Sequence, residues 1–261
     1  MRKILFGLLV CISLLSCSKD EEKTTPLVAD FDATIIGESP NAKIIITNAS
    51  TGAKKYAWTF SEGANISSSS DENPDTLFID KRGNFEVKLV ISNDNEQKEL
   101  TKNFTIPGYN AIVTYTDIEF GVNPEDETYG RFFSFETGRI YKDKEIVDSI
   151  GQKIGIGFSS MEHTMYYFQS PSDNSYNIPN ATITKVTNYA NNIFSIENFD
   201  SMVDDRMLST ITIDETHDSF GNSSIPCTVL FQLANSKKGV IKVKAVNNDR
   251  VLVDIKIQKY N

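Results

Sequence analysis

The chain has 261 residues, with 26 Lys+Arg against 35 Asp+Glu and a net charge of −9. A protein this acidic has no sequence-independent attraction to nucleic-acid phosphates, and charge does not hold it on an anionic membrane. The length admits one large domain or two ordinary ones.

The first element is a leader. Arg2 and Lys3 make a basic start, residues 4–15 are apolar apart from Gly7 and Ser13, and Ser16 and Cys17 follow. A charged start, a short apolar stretch and a small-residue cleavage site define a secretory signal. The run is shorter than the roughly 20 apolar residues that a membrane-spanning helix needs. Leu14-Leu15-Ser16-Cys17 resembles the lipobox of bacterial lipoproteins. The resemblance implies removal of residues 1–16, diacylation of the Cys17 sulfur and acylation of the new amine. Each buried CH₂ of such chains contributes about 0.8 kcal/mol to membrane anchoring. The following Ser18-Lys19-Asp20-Glu21-Glu22 is similar to the surface-export signal of Bacteroidota-type lipoproteins, which implies a surface-exposed place on the cell outer membrane. Losing Arg2 and Lys3 with the leader takes the net charge from −9 to −11. Cys11 lies in the leader and Cys17 is the anchor, so Cys227 remains and no internal disulfide is expected. Cys227 opens an apolar strand pattern, which points to a buried structural thiol.

Residues 17–26 are polar and read as a lipidated tether ending at Pro26. Short period-two segments follow. Leu27, Ala29, Phe31 and Ala33 alternate with Val28, Asp30, Asp32 and Thr34. Ile44-Ile45-Ile46, then Tyr56, Trp58 and Phe60, then Phe85, Val87, Leu89 and Ile91, then Leu100, Phe104 and Ile106 continue the pattern between turn residues. This predicts an all-β sandwich. Trp58, the only tryptophan, reads as its core anchor. Gly63 reads as a positive-φ turn, residues 67–70 as a loop and Asp94-Asn95-Glu96 as a hairpin turn.

Asn48-Ala49-Ser50-Thr51-Gly52-Ala53, Tyr56-Ala57-Trp58-Thr59-Phe60-Ser61-Glu62-Gly63, Asn73-Pro74 and Gly83-Asn84-Phe85-Glu86-Val87-Lys88-Leu89 occur in this order. Together they resemble a polycystic-kidney-disease-type (PKD) repeat over residues 27–107. Ser61-Glu62 departs from the Gly-Asp usual in that family, which puts the turn after the strand in doubt but not the fold. The resemblance implies an immunoglobulin-like sandwich that serves as a non-catalytic spacer.

Pro107-Gly108 marks the boundary to a second, β-rich domain of residues 109–261. Strands are expected over residues 111–120, 131–136, 153–159, 165–169 and 181–185, with a closing β-meander over 228–233, 239–246 and 250–258. Gly155 and Gly157 inside a strand suggest close backbone approach or a bulge. One short helix is expected from an N-cap at Ser195, with Ile196, Phe199, Met202 and Val203 at helical spacing and Met207 and Leu208 extending its apolar face, to cover one side of a sheet. The closing stretch is similar to the ends of uncharacterised Bacteroidota-type surface lipoproteins and of haem-scavenging members of that group.

No catalytic motif is present: no nucleophile elbow, zinc-protease helix, P-loop or dinucleotide fingerprint. The acidic pairs at residues 125–127, 204–205 and 214–215 read as solvated, and no cofactor or metal is expected. His163 and His217 read as loop residues, though a haem site would use both. Tyr129, Tyr166, Tyr167 and Tyr176 fall in an aromatic-rich stretch and are the candidate ligand-binding residues, since tyrosines on a β-surface stack on sugar rings. Asp75-Thr76-Leu77, Asp148-Ser149-Ile150 and Asp200-Ser201-Met202 resemble Bacteroidota-type O-glycosylation sites. The expectation is a lipid-anchored envelope protein that binds a polysaccharide without turning it over. The alternatives are an adhesive protein with an envelope-protein partner, a haem-binding uptake lipoprotein and an unusual hydrolase.

Overall fold

A computed structural model describes residues 25–123, 128–216 and 218–261. The lipobox with Cys17, most of the tether, the acidic run at 125–127 and His217 lie outside the described residues.

The first module contains β1 (Phe31–Ile36), β2 (Ala42–Asn48), β3 (Lys55–Phe60), β4 (Ser68–Ser69), β5 (Leu77–Ile79), β6 (Gly83–Ser92) and β7 (Gln97–Ile106). They form a three-stranded sheet, β1-β2-β5, and a four-stranded sheet, β4-β3-β6-β7. The sequence alternation decides which side chains meet between the sheets, because successive strand residues point to opposite faces. Phe85, Val87, Leu89 and Ile91 are all buried, as are Ile44 and Ile46, while Ile45 between them is exposed. Trp58 is 1% exposed. It meets Phe31 edge-on at 5.3 Å between ring centroids, and its indole N–H donates to the Asp71 carbonyl at 2.9 Å. Gly63 sits at φ +106°, where a Cβ would stand 2.5 Å from Lys81 Cβ. The β6–β7 hairpin turns where the Asn93 side-chain oxygen accepts from the amides of Asn95 and Glu96 at 2.9 and 3.0 Å. Part of the expected loop at 67–70 is β4, which pairs with Trp58 and Thr59 along the edge of β3.

The second module contains β8 (Ile112–Gly121), β9 (Phe132–Ser134), β10 (Arg139–Tyr141), β11 (Ile156–Met161), β12 (Met165–Gln169), β13 (Lys185–Thr187), β14 (Phe220–Gly221), β15 (Cys227–Gln232), β16 (Lys238–Val246) and β17 (Arg250–Gln258). They form two five-stranded sheets, β10-β9-β11-β12-β14 and β13-β15-β16-β17-β8. Phe120, Phe158, Phe168, Val229, Phe231, Ile241 and Ile255 belong to one core between these sheets. The opposite face of the second sheet is also covered. Leu230 and Val240 pack there with Phe199, Met202 and Leu208. Burial on both faces makes β15 an almost unbroken buried run rather than an alternating one.

The covering layer differs from the single helix expected. Three short α-helices occur among the described residues: α1 (Asp148–Gly151), α2 (Ile196–Ser201) and α3 (Arg206–Ser209). Ser195 caps α2, accepting from the Asn198 amide at 3.2 Å. Met202 then turns to extended backbone, and the Asp204 side chain accepts from the Arg206 amide at 2.9 Å to start α3. Val203 falls in the break and is 76% exposed, so it does not join the apolar face.

The break also places Asp205 at the junction of the modules. Its carboxylate is 2% exposed. It accepts from the Asn110 amide at 2.9 Å, the Asn110 side chain at 3.2 Å and the Gln258 side chain at 3.1 Å. The Asn110 side-chain oxygen in turn accepts from the Arg82 amide at 3.0 Å. Asp80 of the first module accepts from the Tyr260 hydroxyl at 2.6 Å and pairs with Lys259. The modules therefore meet through a polar network that is buried at Asp205, Asn110 and Gln258 and partly exposed at Asp80 and Lys259.

Candidate functional site

The outward face of the β10-β9-β11-β12-β14 sheet carries the site. Tyr166 and Phe168 of β12 point into the core, so Met165, Tyr167 and Gln169 face outward. Across the β11–β12 hairpin they stand opposite Met161, Ser159 and Gly157.

One half of this face is closed. The Tyr176 ring lies over Gly157, meets Phe132 edge-on at 4.9 Å and shares a 2.9 Å hydrogen bond between its hydroxyl and that of Ser159. The Arg131 guanidinium sits 4.9 Å from the same ring and pairs with Asp143 at 2.5 Å. Burial pushes the Tyr176 phenol far above its ordinary value. Gly155 makes the matching approach to the Phe135 ring. Both glycines therefore serve close approach by a ring.

The other half is open. Met161 and Met165 are 49% and 43% exposed, and Tyr167 beside them is half-buried. They border a cleft of about 560 Å³ whose walls include Gln169, Asn174, Asp173, Glu215 and Asp218. The cleft exists because β14 is only two residues long and pairs with β12 only at Met165 and Tyr166. Beyond that point the edge of β12 is satisfied by a side chain. The Asn188 carboxamide accepts from the Phe168 amide at 2.9 Å and donates to the Phe168 carbonyl at 2.9 Å. A carboxamide carries both groups of a peptide, so it completes the edge without adding a strand and leaves the space beside it empty. Thr216, on the wall, has its hydroxyl oxygen shut off from solvent with no hydrogen-bond partner among the described residues.

The four candidate tyrosines are not brought together. Tyr166 is a core residue at 2% exposure, stacked with Phe158 and donating its hydroxyl to the His163 carbonyl at 2.5 Å. Tyr176 is 8% exposed and covers the closed half of the sheet. These two are corrected from ligand contacts to packing residues, because each ring and each hydroxyl already has an internal partner. Tyr129 lines a separate hollow with Glu119 and Arg139, and its hydroxyl accepts from Arg250 at 2.6 Å. Tyr167 alone of the four lines the cleft. Met161 and Met165 were missed by sequence reasoning. Their signal was positional, since both lie in strand phase with Tyr167 on either side of a short turn.

His163 is exposed in that turn at φ +55°, next to Glu162 at φ +51°. Cys227 is fully buried, and burial pushes its thiol up to about 12. A second hollow, of about 440 Å³, opens at one end of the sandwich between Tyr115, Phe135 and Leu233. Several of its polar groups are taken: Tyr115 donates to the Phe135 carbonyl at 2.9 Å, Lys153 pairs with Glu136 at 2.8 Å and Lys237 donates to the Lys259 carbonyl at 2.6 Å.

Fold and cleft together define a class: a β-rich protein of two joined sandwich modules with an open aromatic and thioether face on the second. No protein-family model matches the chain, the PKD type included, and no curated protein matches it. Among solved structures it is similar to a crystal structure of a DUF4466 family protein from Parabacteroides merdae ATCC 43184. The two are 12% identical, with a TM-score of 0.44 over 89% of this chain and 98% of that one. No residue role follows from this likeness.

Proposed function

We propose that the protein is a lipid-anchored cell-envelope protein that binds a glycan at the cell surface without catalysis, with residues 27–107 as a PKD-type spacer. The observation that carries the reading is Tyr167, the one candidate tyrosine on the wall of an open cleft, beside carboxamides and carboxylates. An aromatic face with a few polar groups around it is the chemistry that holds a sugar ring: the ring stacks and the polar groups take its hydroxyls. The leader and Cys17 supply the reason for placing this at the outer membrane. The test is affinity electrophoresis of the leaderless chain, with Cys17 replaced by serine, against a panel of polysaccharides. Saturable binding weakened by Tyr167→Ala supports the reading. Absence of binding by the folded protein to every member sinks it. Labelling with a fatty acid that is lost in Cys17→Ala tests the anchor separately.

The exposed Met161 and Met165 favour a second reading, an adhesive surface that meets an envelope protein, because exposed thioethers adapt to apolar partners. A single stoichiometric protein recovered from envelope extract, lost in a Met161→Glu/Met165→Glu variant, is its expected result. Haem uptake predicts a Soret band that disappears in His163→Ala.

A further inference from the structure

The main core of the second module is left open at one end. Four of the half-buried apolar residues that pack against it, Val113, Tyr115, Phe135 and Leu233, gather around the hollow of about 440 Å³. Val113 and Tyr115 come from β8 and Leu233 follows β15, whereas Phe135 follows β9 and Gly155 precedes β11, so both sheets contribute to the wall. A Cβ on Gly155 would stand 2.3 Å from the Phe135 ring and 3.4 Å from Leu233, so the bare backbone itself forms part of the wall. The Tyr115 hydroxyl donates to the Phe135 carbonyl at 2.9 Å, which fixes its ring in place. Apolar surface left facing water in a concave space is what the apolar body of a ligand covers.

The rim is basic in a protein that is acidic overall. Lys153, Lys237 and Lys259 line it with a single acid, Glu136. Two of these cations are paired: Lys153 with Glu136 at 2.8 Å, and Lys259 with Asp80 outside the hollow. Lys237 differs. It is half-buried, its ammonium donates to the Lys259 carbonyl at 2.6 Å, and it forms no ion pair among the described residues. That carbonyl is a neutral acceptor, and an ammonium has three N–H donors, so both charge and donors remain for a ligand. The Thr182 hydroxyl and the Gln258 carboxamide are committed to the Ile154 carbonyl at 3.0 Å and to Asp205 at 3.1 Å. An apolar wall beneath one cation without a counter-charge suits a molecule with an apolar body and a single negative charge.

We infer that the hollow binds an amphiphilic monocarboxylate, its acyl-chain or ring body against Val113, Phe135 and Leu233 and its carboxylate on the Lys237 ammonium. This site shares no lining residue with the cleft at Tyr167, and it does not depend on the glycan reading.

The test is calorimetric titration of the leaderless chain, with Cys17 replaced by serine, against decanoate, 2-naphthoate and decyltrimethylammonium, each below its micelle concentration. Decanoate carries a chain, 2-naphthoate a ring, and the third compound a similar chain with the opposite charge. Saturable binding of at least one carboxylate is expected, with the ammonium compound at least about tenfold weaker. Lys237→Gln is expected to weaken the bound carboxylate about tenfold, and Leu233→Trp, which fills the hollow, to abolish its binding. Lys55→Gln, at an exposed lysine of the first module, is the control for overall charge and is expected to change nothing. Binding of one carboxylate alone supports the inference and identifies the body as a chain or a ring. Binding of neither, equal binding of the ammonium compound, no effect of Lys237→Gln, or an equal loss in Lys55→Gln overturns it. Undiminished binding by a folded Leu233→Trp variant overturns it as well. If far-ultraviolet dichroism shows that variant unfolded, Lys237→Gln decides.

Discussion

The four-stranded sheet of the first module and the central sheet of the second are both antiparallel, yet they bury their strands in different ways. In β6, Phe85, Val87, Leu89 and Ile91 are buried while Glu86 is exposed and Lys88 and Val90 are half-buried. In β15 both faces are covered. Val229 and Phe231 enter the sandwich core, Leu230 enters the helix layer, and the Thr228 hydroxyl is taken by the Phe194 carbonyl at 2.6 Å. Strand alternation is therefore a signature of one wet face, and it fades where a second layer arrives. The consequence reaches the site. A module with one inner core uses its aromatics once, whereas a module of three layers has several faces on which aromatics are absorbed by packing.

This comparison can be broken by substitution. Trp58→Ala is expected to have the largest effect, about 3–5 kcal/mol in urea unfolding, because the ring is central to the only core of the first module. A cost below about 1 kcal/mol there would mean that the module does not depend on its inter-sheet core. Leu230→Ala follows at about 3 kcal/mol, while Val90→Ala, on the wetter face of β6, is expected to cost under about 1 kcal/mol. Equal costs for these two would remove the distinction between one covered face and two. Asp205→Ala leaves the donors of Asn110 and Gln258 without an acceptor, at about 2 kcal/mol. It is expected to split unfolding into two transitions read by Trp58 fluorescence and far-ultraviolet dichroism. Coincident transitions in the variant would show that the joint does not couple the modules.

The smallest effect concerns Cys227. Its thiol is not expected to react with a thiol reagent at pH 8 until the second module unfolds, so labelling reports that module alone. The folded value, about 12, lies above the ordinary 9.0. The associated stability is fully present below the ordinary value and is lost as the pH rises from there toward the folded one. Rapid labelling of the native protein would contradict the buried position.

Much of the fold was legible. The five longer strands of the first module (β1, β2, β3, β6 and β7), Trp58 as anchor, the hairpin turn at Asp94-Asn95-Glu96 and the closing β-meander follow from period-two patterns and turn chemistry, which are local properties. The Ser195 cap was legible for the same reason. The interruption of the helix after Met202 was not, because it serves Asp205, whose partners Asn110 and Gln258 are remote in sequence. The short strands β4, β5, β10 and β14 were also missed, since pairs and triplets of residues carry no period.

The candidate site divides along the same line. By itself the sequence determined that residues 129–176 are rich in aromatics in strand phase, because alternation is written in neighbouring residues. It could not determine which tyrosine is exposed. Only the tertiary structure turned Tyr166 into the core, laid Tyr176 over Gly157 and left Tyr167 beside a cleft. The physical reason is that exposure depends on what covers a face. Here the segment carrying Tyr176 covers one half, and the Asn188 carboxamide completes the strand edge beside the other half and leaves it open.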